Sequence, residues 1–343
     1  MRVPEPRGPL SDALLATLRD APGPTPALRS VAETAVGRLP DARSVLTDDD
    51  VQLALLCLYE LHYRGLDGVD EGWEWSPDLL AARAVLEEAF EAAVRELVPV
   101  PQTQARTAEE VAQALFEITS DDAGPSVSTY IAKRATDEQL HEFVVHRSIY
   151  HLKEADPHSW ALPRLSGRAK SALIEVQADE YGGGRPGHIH AELFAGTMRA
   201  LGLDDTYGAY VDVVPAPTLA NVNLMSLFGL HRRLRGAIAG HLAAFEMTSS
   251  VPCRKYGNGF RRLGYGEDAT FYFDEHVEAD AVHEQIAGRD LAGGLAEAEP
   301  QVRDDVLWGA AAYLAVDGLA GAQMLQAWEA GRSALRGVTR VAA

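Results

Sequence analysis

Two cysteines in the whole chain, Cys57 in an apolar run and Cys253 in a polar loop, exclude a disulfide framework and a CxxC metal motif. Any metal must then be held by His, Asp and Glu. Apolar runs of about 18 residues are missing, and the opening MRVPEPRGPLSDALLATLRD has no apolar signal region, so the chain reads as cytoplasmic and off the membrane. Positive charge is scarce: 31 Lys and Arg stand against 50 Asp and Glu, for a formal charge of −19. No basic stripe with interleaved aromatics occurs, which excludes nucleic acid as a partner. Most of the acidic excess reads as a solvated surface. Strand-like alternation is confined to YVDVV, which Pro215 interrupts, and an all-α architecture follows.

With 343 residues and 47% hydrophobic content, the chain can bury one large core or two modest ones. Residues 1 to about 48 carry Pro4, Pro6, Pro9, Pro22, Pro24 and Pro26 and read as a loose or capping segment. Helices are expected from Asp48, over Ser76 to Val98 with Pro77 at its first position, and over Thr107 to Ile118. Longer helical patterns cover roughly 126–155, 166–181, 189–202, 217–249, 268–288 and 302–336. The division expected is an N-terminal segment and helical extension over 1–125, then a helical bundle over 126–343.

The most informative stretch is FYFDEHVEADAVHEQ, which spaces His276, Asp280 and His283 at i, i+4 and i+7, on one face of a helix. Ala279, Ala281 and Val282 offer little competing apolar bulk, so burial of the His/Asp face is expected, and buried ionisable groups need a partner or a metal. A second stretch, KSALIEVQADEYGGGRPGHIHAELF, places Glu180 at the end of one helix and His190 at the start of the next. On an unbroken helix they would sit roughly 80° apart; the glycines between them allow both to reach one site. His188, Glu175, Asp179 and Glu192 compete with them on spacing alone. The glycine run has neither GxxxxGK[ST] nor GxGxxG and follows a helix, so it is no phosphate loop. Glu154, just before Pro157, and Glu246, after a strongly apolar stretch, add two further carboxylates. Taken singly, each fits a salt-bridged structural role. Four helices that each point carboxylates and imidazoles inward follow the logic of a two-iron bundle, since zinc hydrolases manage with three protein ligands per ion.

In this order, Glu154, then Glu180 and His190 ten residues apart, then Glu246, then His276, Asp280 and His283, the chain resembles the heme-oxygenase-like dimetal oxidases and oxygenases, the iron-containing redox enzymes. The resemblance covers about 126–336 and includes DEYG and HxxLF within DEYGGGRPGHIHAELF. It implies a heme-oxygenase-like helical bundle in which those seven residues bind two iron ions, with O2 as co-substrate and room for an external electron donor. It further implies oxidation of a small amino acid or amine in a biosynthetic pathway. Some N-oxygenating members carry an extra His where this chain has Gly183.

For substrate, Arg235 is the first choice to hold a carboxylate, because it precedes Glu246 by three helical turns on nearly the same face. Tyr150, Trp160 and Phe228 are candidate pocket walls. The N-terminal segment is expected to cap the bundle or form a homodimer surface. The rival readings are a heme-binding or metal-independent protein of the same fold, and a non-enzymatic helical binding partner.

Overall fold

A computed structural model describes residues 1–120 and 126–337, and only the backbone of Glu278, Asp280 and Ala281. Among the described residues every regular element is helical, without strand. YVDVV, the one strand-like stretch, lies in a short 3-10 turn over Val211–Val213.

The N-terminal segment is more ordered than its prolines suggest. Pro9 opens helix α1 (Pro9–Leu18) at its first position, where a missing N–H costs nothing, and α2 (Ala27–Gly37) follows. Leu10, Leu14, Leu15 and Leu18 of α1 are buried. Next come α3 (Asp49–Glu60), α4 (Pro77–Leu97) and α5 (Ala108–Ser120). α3 starts where Asp48 accepts from the amide of Val51 at 2.8 Å. One apolar core runs from Leu10 through Phe90 and Leu115 to Trp308 and Val316, so residues 1–120 share a core with part of the chain after 126, while a second core, from Ile131 through Phe194 and Phe260 to Trp328, is built from the later residues alone.

In place of one helix over 126–155 stand α6 (Val127–Lys133) and α7 (Asp137–His151), because Thr136 and Gln139 form a reciprocal capping box at 3.3 and 3.0 Å. A single turn, α8 (Asp156–Ser159), precedes α9 (Gly167–Glu180) and α10 (His190–Ala200). The pattern over 217–249 likewise divides into α11 (Ala216–Leu230) and α12 (Arg235–Met247). There Arg164 donates to the carbonyls of Gly229 and Leu230 and satisfies the end of α11.

α13 (Ser250–Arg262) occupies what the sequence suggests is polar loop; Cys253, Tyr256 and Phe260 are buried on its inner face against α6 and α14 (Glu267–Gln285). A π-helical segment over Ile286–Gly293 leads to α15 (Gly294–Ala298) and the long α16 (Arg303–Glu329). α12 and α16 approach very closely: a Cβ at Gly240 would run into the carbonyl of Val306, and one at Gly309 into that of Ala237. This contact holds the end of α12, with Glu246, against the bundle interior. No helix among the described residues is long and apolar enough to cross a membrane.

Candidate metal centre

Glu154 reaches the interior from a turn, not from a helix. α7 ends at His151, and Ala155 adopts φ 72°, a left-handed conformation that a residue with a Cβ holds only when its surroundings enforce it. Both flanks of the turn are pinned. The Lys153 ammonium, 1% exposed, donates to Glu60 of α3 at 3.2 Å, and Gln177 of α9 donates to the Ala155 carbonyl at 2.8 Å. Glu154 sits buried between them and accepts from the Tyr272 hydroxyl at 2.8 and 2.9 Å.

The glycine run performs a reversal. Gly182, Gly183 and Gly184 take φ of 68°, 60° and 74°, and a Cβ on Gly182 would stand 2.6 Å from the carbonyl carbon of His188. With α9 ending at Glu180 and α10 beginning at His190, the reversal sets His190 Nδ1 2.9 Å from Glu180 Oε2.

α14 supplies two imidazoles. His276 Nδ1–H donates to the Tyr272 carbonyl at 2.7 Å, which fixes the tautomer and leaves Nε2 as a lone-pair donor 3.7 Å from Glu154 Oε1. That Nε2 is buried and has no hydrogen-bond partner among the described residues. His283 lies two turns further along; its Nε2 stands 3.0 Å from Asp179 Oδ2 and its Nδ1 3.5 Å from Glu246 Oε2.

Two buried groups of ligand atoms result. Glu154, Glu180, His190 and His276 each place one such atom within 4.8 Å of the others, and so do Glu180, Glu246 and His283. Glu180 belongs to both. The side chain of Asp280, the remaining expected ligand, lies outside the described residues.

The charges in this site are strongly coupled. Burial pushes Glu180 upward, but His190, His276 and His283 outweigh it and hold the carboxyl down at about 2. Burial and the neighbouring His190 lower His276 to about 4, leaving it neutral. Burial also opposes a charge on His283, yet Glu246 and Asp179 raise it to about 10. His190 is raised too, against its burial, by Glu180. The carboxylates thus favour the protonated form of His190 and His283, while His276 is driven the other way.

Two features escape a reading by motif. Tyr272 precedes His276 by one turn and binds Glu154 through its hydroxyl, while Asp179, one of the competing candidates on spacing, orients His283. An aromatic four residues before a histidine has no distinctive signal, since core packing uses the same spacing.

Arg235 is placed elsewhere. Its guanidinium donates to Glu299, with Nε at 3.0 Å, and to the Arg232 carbonyl. Eleven residues of helix put it about 16 Å along α12 from Glu246. Sharing a face with Glu246 therefore does not bring it near. Trp160, half-buried, packs edge-on against Tyr63, and Phe228 packs against Trp308 in the core, whereas Tyr150 contacts His151 and Phe245.

A cavity of about 480 Å³ abuts the centre. Tyr272, His151, Phe245 and Phe273 line it near the ligands, and Arg147 and Asp317 line it as well. His151 ring contacts to Tyr272 and Phe194, at 5.6 and 4.8 Å, close off the wall.

A family model described as "Iron-containing redox enzyme" matches residues 141–318, just over half the chain. The chain belongs to the iron-containing redox enzyme family. Its all-α, heme-oxygenase-like fold accords with that membership, and it is an oxidoreductase by family. It is similar to a nitrosourea synthase of Streptomyces achromogenes subsp. streptozoticus, with 28% identity over 147 residues, 43% of this chain and 31% of that protein. The chain thus covers about a third of the length of that curated relative. As a family of iron enzymes requires, the buried carboxylate and imidazole cluster offers hard oxygen and nitrogen donors without thiolate, a set suited to iron.

Proposed function

We propose that this iron-containing redox enzyme binds two iron ions and uses O2 to oxidise a small amino acid or amine, through desaturation, C–H or C–N oxidation, cyclisation or C–C cleavage. The observation that carries the reading is the double membership of Glu180, which belongs to both groups of ligand atoms, so that one continuous set of donors could serve two ions. Glu154, Glu180, His190 and His276 would hold one ion, and Glu180, Glu246 and His283 would hold the other. Bound iron supplies the redox electrons and an open coordination position for O2.

The protein's own residues do the rest. Glu154, Glu180 and Glu246 would balance the cationic charge, Tyr272 and Asp179 orient Glu154 and His283, and the packed rings of Phe194 and Tyr272 set an apolar surface beside Glu154. The similarity to a nitrosourea synthase supports a nitrogen-bearing substrate and a biosynthetic role. An external electron donor completes the electron count where the substrate provides too few.

Anaerobic loading with ferrous iron, desalting and metal analysis test the reading. Roughly two irons per chain are expected, with O2 uptake that accelerates on adding the true substrate from a panel of amino acids and amines. Uptake of no iron by the folded protein overturns it.

A further inference from the structure

The cavity beside the centre is lined mainly by apolar and neutral polar groups, with two exceptions. Arg147 of α7 and Asp317 of α16 are the formally charged residues among its described lining. His151, also in the wall, is held neutral because burial, Arg147 and His276 push its pKa well below the usual value. Arg147 Nη1 donates to Asp317 Oδ1 at 3.2 Å, and Asn221 donates to the same oxygen at 2.9 Å. Both bonds recorded among the described residues fall on Oδ1, so Oδ2 can accept from a ligand. Arg147 has five N–H donors, and its partners Asp317 and the Tyr256 hydroxyl do not exhaust them. Both side chains remain about a quarter exposed, 24% and 29%.

We propose that Arg147 and Asp317 form a head-group clamp for a zwitterionic α-amino acid, with Arg147 taking the carboxylate and Asp317 the ammonium. The inference rests on the proposed oxidase reading only for its catalytic meaning, since the clamp binds without iron. An α-amino acid carries its two charges on one carbon and can lie antiparallel to an ion pair of 3.2 Å, so neither partner loses its counter-charge. Charge-assisted contacts in a partly desolvated wall reward both ends, whereas a ligand with one charge leaves the other partner desolvated and unpaired. Direction follows from the helix. His151 lies one turn, about 6 Å, along α7 from Arg147, and its ring contacts Tyr272, which binds Glu154. A head group clamped at Arg147 therefore sends its side chain past His151 toward the candidate metal centre.

Calorimetric titration of the full chain with the proteinogenic L-amino acids, followed by the decarboxylated amine and the deaminated acid of the tightest binder, tests the clamp. The amino acid is expected to bind roughly ten- to a hundredfold tighter than either analogue. Asp317→Asn should erase the advantage over the acid analogue, and Arg147→Gln the advantage over the amine. Equal affinity of the three ligands for the wild-type protein, or no binding by any amino acid, overturns the proposal. Variants with a lower Tm but unchanged ligand preference reduce the pair to a link between α7 and α16 and overturn it too. The comparison of three ligands on wild-type protein stays decisive if a variant fails to fold. Running it on chelated and on ferrous-loaded protein separates the two readings: amino-acid preference without iron uptake keeps the clamp and removes the di-iron function, and iron uptake without preference does the reverse.

Discussion

The two halves of the candidate centre are built differently. Glu154, Glu180, His190 and His276 come from four separate segments, a pinned turn, the end of α9, the start of α10 and the middle of α14, and every one is buried. Its second half shares Glu180, takes Glu246 from the end of α12, and takes His283 from the last turn of α14, just before the helix widens into π geometry. The outer supports also differ. Glu154 is oriented by buried Tyr272, whereas His283 is oriented by Asp179, whose side chain is 62% exposed. The first half is thus set by tertiary contacts that exist before a cation arrives; the second leans on a solvent-facing carboxylate and sits where α14 passes into π geometry. The first position should be the tighter.

The largest effect is expected where the halves meet. Glu180→Ala removes the shared carboxylate, so iron content should fall from roughly two per chain toward zero. Wild-type protein should gain stability on loading, about 2.7 kcal/mol at a hundredfold excess over Kd, and the variant should show almost none of that gain in thermal unfolding. Retention of both ions by Glu180→Ala would remove the idea of a shared ligand.

Next come the single-sided changes. His276→Ala should empty the first position and His283→Ala the second, each leaving roughly one iron per chain by metal analysis. A titration with ferrous iron should show that the ion surviving in His283→Ala binds more tightly than the one surviving in His276→Ala. The opposite ranking breaks the comparison between a preformed and a dependent half.

The sequence makes the helix faces readable, and the parts beyond them much less so. His276 and His283 sit at i and i+7 on α14, and both face Glu180, because periodicity fixes direction on a single helix. The joining of Glu180 to His190 was legible as a freedom given by glycine, though only the three consecutive positive φ values show how the reversal is made. Arg235 shows the limit of the same logic: periodicity fixes which way a side chain points and says nothing of how far along the axis it lies. α13 was hidden for another reason. SVPCRKYGNGFRR has poor helix propensity, and it is helical because Cys253, Tyr256 and Phe260 bury against α6 and α14. The hidden core role of residues 1–48 follows from prolines that start helices as readily as they break them.

The smallest effects are the most discriminating, because they act through orientation alone. Tyr272→Phe keeps the ring contacts with His276, Phe194 and Phe273 and deletes only the hydroxyl on Glu154. Loss of an outer hydrogen bond to a ligand weakens metal binding roughly ten- to a hundredfold, and here the loss should fall on the first ion alone. Asp179→Asn keeps a polar group facing His283 Nε2 but removes the negative charge that, with Glu246, raises the pKa of that imidazole. Because the carboxylate is mostly in water, its influence is screened, and a loss of less than about tenfold, confined to the second ion, is expected. The two variants therefore predict different isotherms: in Tyr272→Phe the two affinities converge, and in Asp179→Asn they move further apart. If both variants weaken the same ion, the two halves do not have separate supports, and the ligands must be acting as one coupled set around Glu180.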